Sequence, residues 1–161
     1  MLLTPHTAAG VAIASLLPEP WLAIPLSFLS HFVLDFIPHW DRIGLGLLEE
    51  NFQRISSRVF RLVLLDALFS LVFVLFFIYR ALGAGEGPDL GLGVLILFSA
   101  LAANLPDLFY IPLAFFGKKW GWVIGVVKVQ SKLQERSKAS FPLGMATQIA
   151  VIGAGLLIAL Q

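Results

Sequence analysis

Long apolar runs separated by short polar stretches dominate the chain. Five such segments can be drawn, at residues 4–17, 21–37, 57–82, 90–116 and 141–160. A helix that crosses a bilayer needs ~20 apolar residues, and the first segment falls short of that length, so its full crossing stays open. The pattern predicts an all-α, polytopic membrane helical bundle of about five apolar helices, in a single integral-membrane domain over residues 1–161.

Two longer connections carry a different pattern. Residues 42–56 have apolar side chains at helical spacing, which is typical of an amphipathic helix lying on a membrane surface. Residues 117–140 hold six basic residues together with Trp120 and Trp122, and predict a second surface segment or a short re-entrant one. We therefore expect one or two short interfacial amphipathic helices beside the apolar ones.

The composition agrees with a membrane protein. Of 161 residues, 58% are hydrophobic and 13% charged, and the mean hydropathy is +0.89. In a soluble domain about a quarter of the residues are charged, so we expect membrane lipid to surround this protein. The net charge of +1 gives no indication of nucleic-acid binding, and we predict no nucleic-acid partner. The absence of cysteine excludes thiolate metal ligands and disulfides.

Positive charge is distributed unevenly between the two ends of the predicted bundle. If all five segments cross, ten of the eleven Lys and Arg residues fall on the side of the N-terminus and both connections, and Arg80 alone falls opposite. The positive-inside rule then places the N-terminus and the basic connections in the cytoplasm. We predict a multi-pass protein of the cell (inner) membrane.

Ionisable residues inside apolar segments are costly and mark function by default. His31 and Asp35 are four residues apart and share one face of a helix. Four segments bring polar groups to a similar depth in the cytoplasmic half, so we expect these groups to converge on one cavity. Imidazoles and carboxylates are ligands for zinc, and for iron or manganese. The predicted metal ligands are His6, His31, Asp35, His39 and Asp107, and the predicted general bases are Asp41 and Asp66.

Structural roles are the alternative for the same residues. His6 can be a polar residue at headgroup level, and His31 with Asp35 can be a hydrogen-bonded pair that joins two helices. Asp66 can pair with Arg61 or bond to Ser70. Small residues in the first and last segments predict close helix packing, at Ala8, Ala9, Gly10, Gly144, Gly153 and Gly155.

Three short motifs resemble a known family. Thr-Pro-His at 4–6 followed by Gly10, Ser-His-x-x-x-Asp at 30–35 and Leu-Pro-Asp at 105–107 resemble elements of the LexA-regulated, membrane-bound metal-dependent hydrolases. That family is related to zinc-dependent phospholipase C. The resemblance implies His31 and Asp35 as metal ligands, with His6 and Asp107 as their partners. The family's His-Arg-Gly and Thr-His-Ser elements are missing here, and Leu-Pro-Asp comes late in the chain.

Two functions of different classes are compatible with these residues. The first is a membrane-bound metal-dependent hydrolase, which acts on a phosphoester of a lipid or lipid-linked substrate through a metal-activated water on the cytoplasmic side. The alternative is a small membrane transporter or accessory subunit that uses the same cluster to bind a cation or relay protons. A transporter should have polar residues through the whole membrane, whereas here one half carries almost none, which favours the hydrolase.

Overall fold

The computed structural model of the protein describes residues 1–40, 57–83, 87–110 and 120–161. Within these ranges the chain forms six helices: α1 (Leu3–Leu16), α2 (Pro20–Asp35), α3 (Ser57–Gly83), α4 (Leu90–Leu108), α5 (Gly121–Arg136) and α6 (Phe141–Ala159). The same ranges contain no strand, although an isolated bridge pairs the backbone of His39 with that of Lys138. The predicted all-α fold is confirmed. Asp41 and the predicted surface helix at 42–56 lie outside the described residues.

Helix boundaries follow the local sequence. Pro20 begins α2 at a position where its missing N–H costs no helical hydrogen bond. The carboxylate of Asp89 caps α4 by accepting a hydrogen bond of 2.8 Å from the Leu92 amide. Proline follows α2 at Pro38, where a continuing helix would lose a hydrogen bond and meet the ring.

Three described helices are long and apolar enough to cross a membrane: Phe60–Gly83, Leu90–Leu108 and Phe141–Ala159. This is fewer than the five that the sequence predicts. The 14 residues of α1 and the 16 of α2 extend only about 21 and 24 Å, short of the ~30 Å hydrocarbon core. The fourth apolar segment also yields a shorter helix than expected, because α4 ends at Leu108.

The short helix α1 forms the centre of the bundle. It packs against α2, α3, α4 and α6, and nine of its fourteen residues are buried. By contrast, α3 keeps most of its apolar side chains on the outside, with Phe69 68% exposed and Val72 64% exposed. An apolar outer surface of this extent is the surface that lipid covers. A helix of the length of α1 is accommodated because other helices, and not lipid, surround it.

Close packing around α1 depends on glycine. A Cβ at Gly10 would lie 2.7 Å from the carbonyl oxygen of Ser99 in α4, and one at Gly155 would lie 2.8 Å from that of Ala8. At Gly144 a Cβ would collide with the backbone of Trp40. These contacts agree with the predicted role of the small residues. Gly153 does not share it, because no described atom lies within 4 Å of its Cβ position.

All the helices that pack on α1 bring one of their ends to the same end of the bundle, which we call the polar end. There α1 begins, α2 ends, α3 begins, α4 ends and α6 begins. Contacts across this end include Met1 with Asp35 and Leu3 with Asp66. The opposite end holds the apolar core, with Val11, Ala23, Val74, Phe77, Leu95 and Ile96 among its buried members.

Helix α5 covers the polar end beside α2 and α4. It buries Val123, Val127 and Gln130, which are four and three residues apart and lie on one face. Lys128 and Lys132 are exposed on the rest of its surface. An amphipathic helix therefore forms in the basic connection, as the pattern predicts.

Candidate metal centre

Asp35, the last residue of α2, lies at the middle of the polar end. Its side chain is fully buried. His31 Nε2 lies 3.4 Å from Oδ2, and His6 Nε2 lies 3.5 Å from Oδ1. His39 Nε2 lies 3.9 Å from Oδ1, and the backbone nitrogen of Met1 approaches the same oxygen at 2.5 Å. One carboxylate is thus surrounded by the three histidines of the chain.

His31 is oriented by a backbone carbonyl. Its Nδ1 lies 2.8 Å from the carbonyl oxygen of Ala103 in α4. Because a carbonyl can only accept, Nδ1 donates to it, and Nε2 is the ring nitrogen that faces Asp35. A histidine that binds a metal commonly donates its other ring N–H to a carbonyl or carboxylate in this way.

His39 repeats the arrangement beyond the end of α2. Its Nδ1 lies 2.8 Å from the carbonyl oxygen of Ile37, so Nε2 again faces the cluster. The segment that carries His39 is held by the bridge to Lys138 and by the close contact of Trp40 with Gly144. His39 is therefore only 2% exposed, although it lies beyond the end of the helix.

His6 is the most unusual member of the cluster. Its ring stacks on that of His31, with the centroids 4.0 Å apart and the planes inclined by 20°. The side chain is fully buried, and both ring nitrogens lack a hydrogen-bond partner among the described residues. A buried polar atom costs free energy unless it makes a hydrogen bond or binds an ion. Oδ2 of Asp35 likewise lacks a hydrogen-bond partner among the described residues.

Asp107 completes the cluster from the last turn of α4. Its Oδ1 lies 3.8 Å from Nε2 of His31, and its side chain is 16% exposed. His6, His31 and Asp107 each offer one ligand atom, and the three atoms lie within 4.8 Å of one another. The structure therefore brings together all five of the residues predicted to bind metal.

Gln130 was not singled out by the sequence, yet it contacts two of these residues. Its Nε2 lies 2.7 Å from Oδ1 of Asp107 and 2.9 Å from Nε2 of His31, and both atoms accept a hydrogen bond from it. The side chain is fully buried. The sequence does contain a signal for it. Gln130 has helical spacing from Val123 and Val127, which places it on the buried face of the amphipathic helix.

Asp66 does not join the cluster. Its carboxylate accepts hydrogen bonds from the first turn of α1: from the Leu3 amide at 2.5 Å, the Thr4 amide at 3.3 Å and Thr4 Oγ1 at 2.6 Å. Ser70, the expected alternative partner of Asp66, instead shares a hydrogen bond with Thr7 of α1. The environment of Asp66 is that of a helix cap supplied by a neighbouring helix.

The spacing of the cluster suits a metal ion. Two ligands on one tetrahedral ion, with bonds of about 2.0–2.2 Å, lie roughly 3.3–3.6 Å apart. The distances from Asp35 to His31 and to His6, at 3.4 and 3.5 Å, fall in that range. The carboxylates of Asp35 and Asp107 would supply negative charge to offset a divalent cation, and the Met1 nitrogen that now contacts Asp35 would have to withdraw from it.

Comparison of the chain with family models, with curated proteins and with solved structures finds no match. The resemblance carried by the three motifs therefore stays a prediction.

Proposed function

We propose that the polar end binds a divalent metal ion, with zinc as the favoured metal. We further propose that the protein is a membrane-bound hydrolase that acts on phosphoesters of lipid or lipid-linked substrates. The observation that carries the proposal is the inward orientation of the histidines. His31 and His39 each use Nδ1 on a backbone carbonyl and turn Nε2 toward Asp35, while His6 has both nitrogens unsatisfied. Iron or manganese would suit the same ligand set.

In this proposal the side chains of the cluster hold the ion, and a metal there supplies a Lewis acid and a water that ionises near neutral pH. Nε2 of each of the three imidazoles lies 3.4 to 3.9 Å from the carboxylate of Asp35, and Asp107 is oriented by the amide of Gln130. Lys128 and Lys132 lie on the exposed face of α5, away from the buried Gln130, and add positive charge to the surface of the polar end. Positive charge at a membrane surface attracts anionic lipid headgroups.

The position of the polar groups supports a one-sided site over a transport pathway. The far half of the bundle is filled by the apolar core around Val11, Val74 and Ile96. An ion that crosses the membrane would have to pass this packed region, where the described members of the core are apolar.

Elemental analysis of the purified protein tests the metal site. We expect about one zinc, iron or manganese ion per chain, lost in the His31→Ala/Asp35→Ala double variant. Asp89→Asn is the matched control, because it removes a carboxylate at the opposite end of α4. Circular dichroism and gel filtration establish that each variant stays folded. Absence of metal from the unaltered protein, even after zinc is added, would overturn the proposal.

Activity is tested separately with the metal-loaded protein in vesicles of phospholipid that carries a labelled headgroup. We expect release of the headgroup by the unaltered protein and by Asp89→Asn, and none by the double variant. A folded, metal-loaded protein that releases nothing from any phosphoester would retain the metal site and refute the hydrolase.

A further inference from the structure

An apolar cleft lies beside the start of α1, and none of the residues that line it belongs to α2 or α4. It has a volume of about 490 Å³ and is walled by α3 and α6, with the first turn of α1 as its floor. Phe69, Val72 and Phe73 line it from α3, and Ile149 and Ile152 line it from α6. Both walls pack on α1, and few described residues of one wall reach the other.

The cleft faces the hydrocarbon of the bilayer. Its walls, α3 and α6, are two of the three helices that are long and apolar enough to cross a membrane. A gap between such helices is open to lipid chains and closed to water-soluble ligands. The volume falls within the ~300–1,000 Å³ of sites that bury a small ligand.

The length of the cleft corresponds to one leaflet. Along α3 the lining runs from Asp66 to Phe76, a rise of about 15 Å over ten residues. Half of the ~30 Å hydrocarbon core is the same length. The cleft therefore has room for the acyl chain of a lipid from one leaflet.

One end of the cleft is polar. Asp66 and Gln148 lie there, and both bind the start of α1: Asp66 accepts from the amides of Leu3 and Thr4, and Gln148 Oε1 accepts from the Leu2 amide at 3.0 Å. The same turn of α1 carries His6. A lipid whose chain fills the cleft thus has its polar end at the turn that belongs to the metal centre.

We propose that the cleft binds one acyl chain of a membrane phospholipid. Its headgroup then lies at the first turn of α1, the turn that also carries His6. The identification of this lipid as the substrate rests on the proposed function, whereas binding of the chain does not.

Photolabelling tests the cleft. The protein is placed in phosphatidylglycerol vesicles that contain a phospholipid with a diazirine in its acyl chain, and labelled peptides are mapped after illumination. We expect label on the facing stretches 69–76 and 145–152. The Val72→Trp/Ile152→Trp double variant fills the cleft with ring volume and should lower that labelling by about fivefold or more. Val94→Trp is the matched control, because Val94 lies on α4 and is 53% exposed, and it should leave the labelling of the cleft unchanged.

Label spread evenly over the outer faces of all helices, with no effect of the cleft variant, would refute the site. So would a dimer in gel filtration that the cleft variant dissociates, since a second copy would then be the occupant. Metal content separates this test from that of the proposed function, because neither tryptophan variant touches the cluster. Cleft labelling in a protein without metal would retain the lipid site and refute the hydrolase. Bound metal in a protein without cleft labelling would retain the metal site and refute the lipid site.

Discussion

Replacing Gln130 by alanine tests how the surface helix α5 takes part in the metal centre. In the structure the Gln130 amide donates to Oδ1 of Asp107 and to Nε2 of His31. A bound metal needs the lone pair of that Nε2, so the second hydrogen bond has to break when the ion enters. The first can stay and holds the carboxylate in position.

The two hydrogen bonds have opposite effects on affinity. Loss of a partner that orients a ligand weakens metal binding about 10- to 100-fold, or about 1.4–2.8 kcal/mol. Loss of the competing bond to His31 strengthens binding by the net worth of one hydrogen bond, about 0.5–1.5 kcal/mol. The difference favours the first effect by about 1 kcal/mol, so Gln130→Ala should bind zinc about fivefold more weakly.

Competition with a chromophoric chelator in detergent measures this change. Val129→Ala is the control, because Val129 lies on the same helix and is 56% exposed. Gln130→Glu is the second variant, and should bind zinc more tightly than the unaltered protein because it adds a negative charge beside the ion. Equal or tighter binding by Gln130→Ala would refute the reasoning, since Gln130 would then act as a plug that the metal displaces.

Three further perturbations follow from the same structure. Asp107→Asn should reduce bound zinc per chain while Asp89→Asn does not, as elemental analysis would report; equal metal content in the two would exclude Asp107 as a ligand. Gly155→Ala should lower the midpoint of thermal unfolding, because the added Cβ would lie 2.8 Å from the backbone of Ala8 and overpacking costs about 1–3 kcal/mol. Gly153→Ala, the control, should leave that midpoint unchanged or raise it. Similar midpoints for the two variants would contradict close packing at Gly155. Asp66→Asn should destabilise the protein by about 0.5–2 kcal/mol in chemical unfolding, as loss of a helix cap does, and should leave the zinc content per folded chain unchanged. Loss of zinc at unchanged stability would instead indicate that Asp66 is part of the metal centre.

The sequence predicts the cluster well because the information is local. A spacing of four residues places His31 and Asp35 on one face, and the common depth of polar groups in several apolar segments indicates that they meet. His6 and Asp107 follow from the same depth. The histidines' carbonyl partners and the stacking of two rings depend on how the helices pack, which no spacing within one segment reveals.

Errors arise where tertiary contacts decide. Apolarity does not distinguish a spanning helix from a short helix enclosed by others, and α1 is of the second kind. Asp66 has the depth of a site residue, but its partner is the backbone at the start of α1. Gln130 carries no charge, so a pattern of ionisable groups does not include it. Its burial depends on the packing of α5 over the polar end.

The short central helix also explains how two carboxylates and three histidines can lie so deep in an apolar chain. Charged groups are costly in lipid and are tolerated where protein encloses them. Because α1 is surrounded by four helices, its first turn and His6 lie among protein atoms. Gly10 and Gly155 allow that enclosure, since any side chain there would separate α1 from α4 or α6. The small residues far from the cluster are therefore a condition for its geometry, because they set the distance from His6 to the residues on the neighbouring helices.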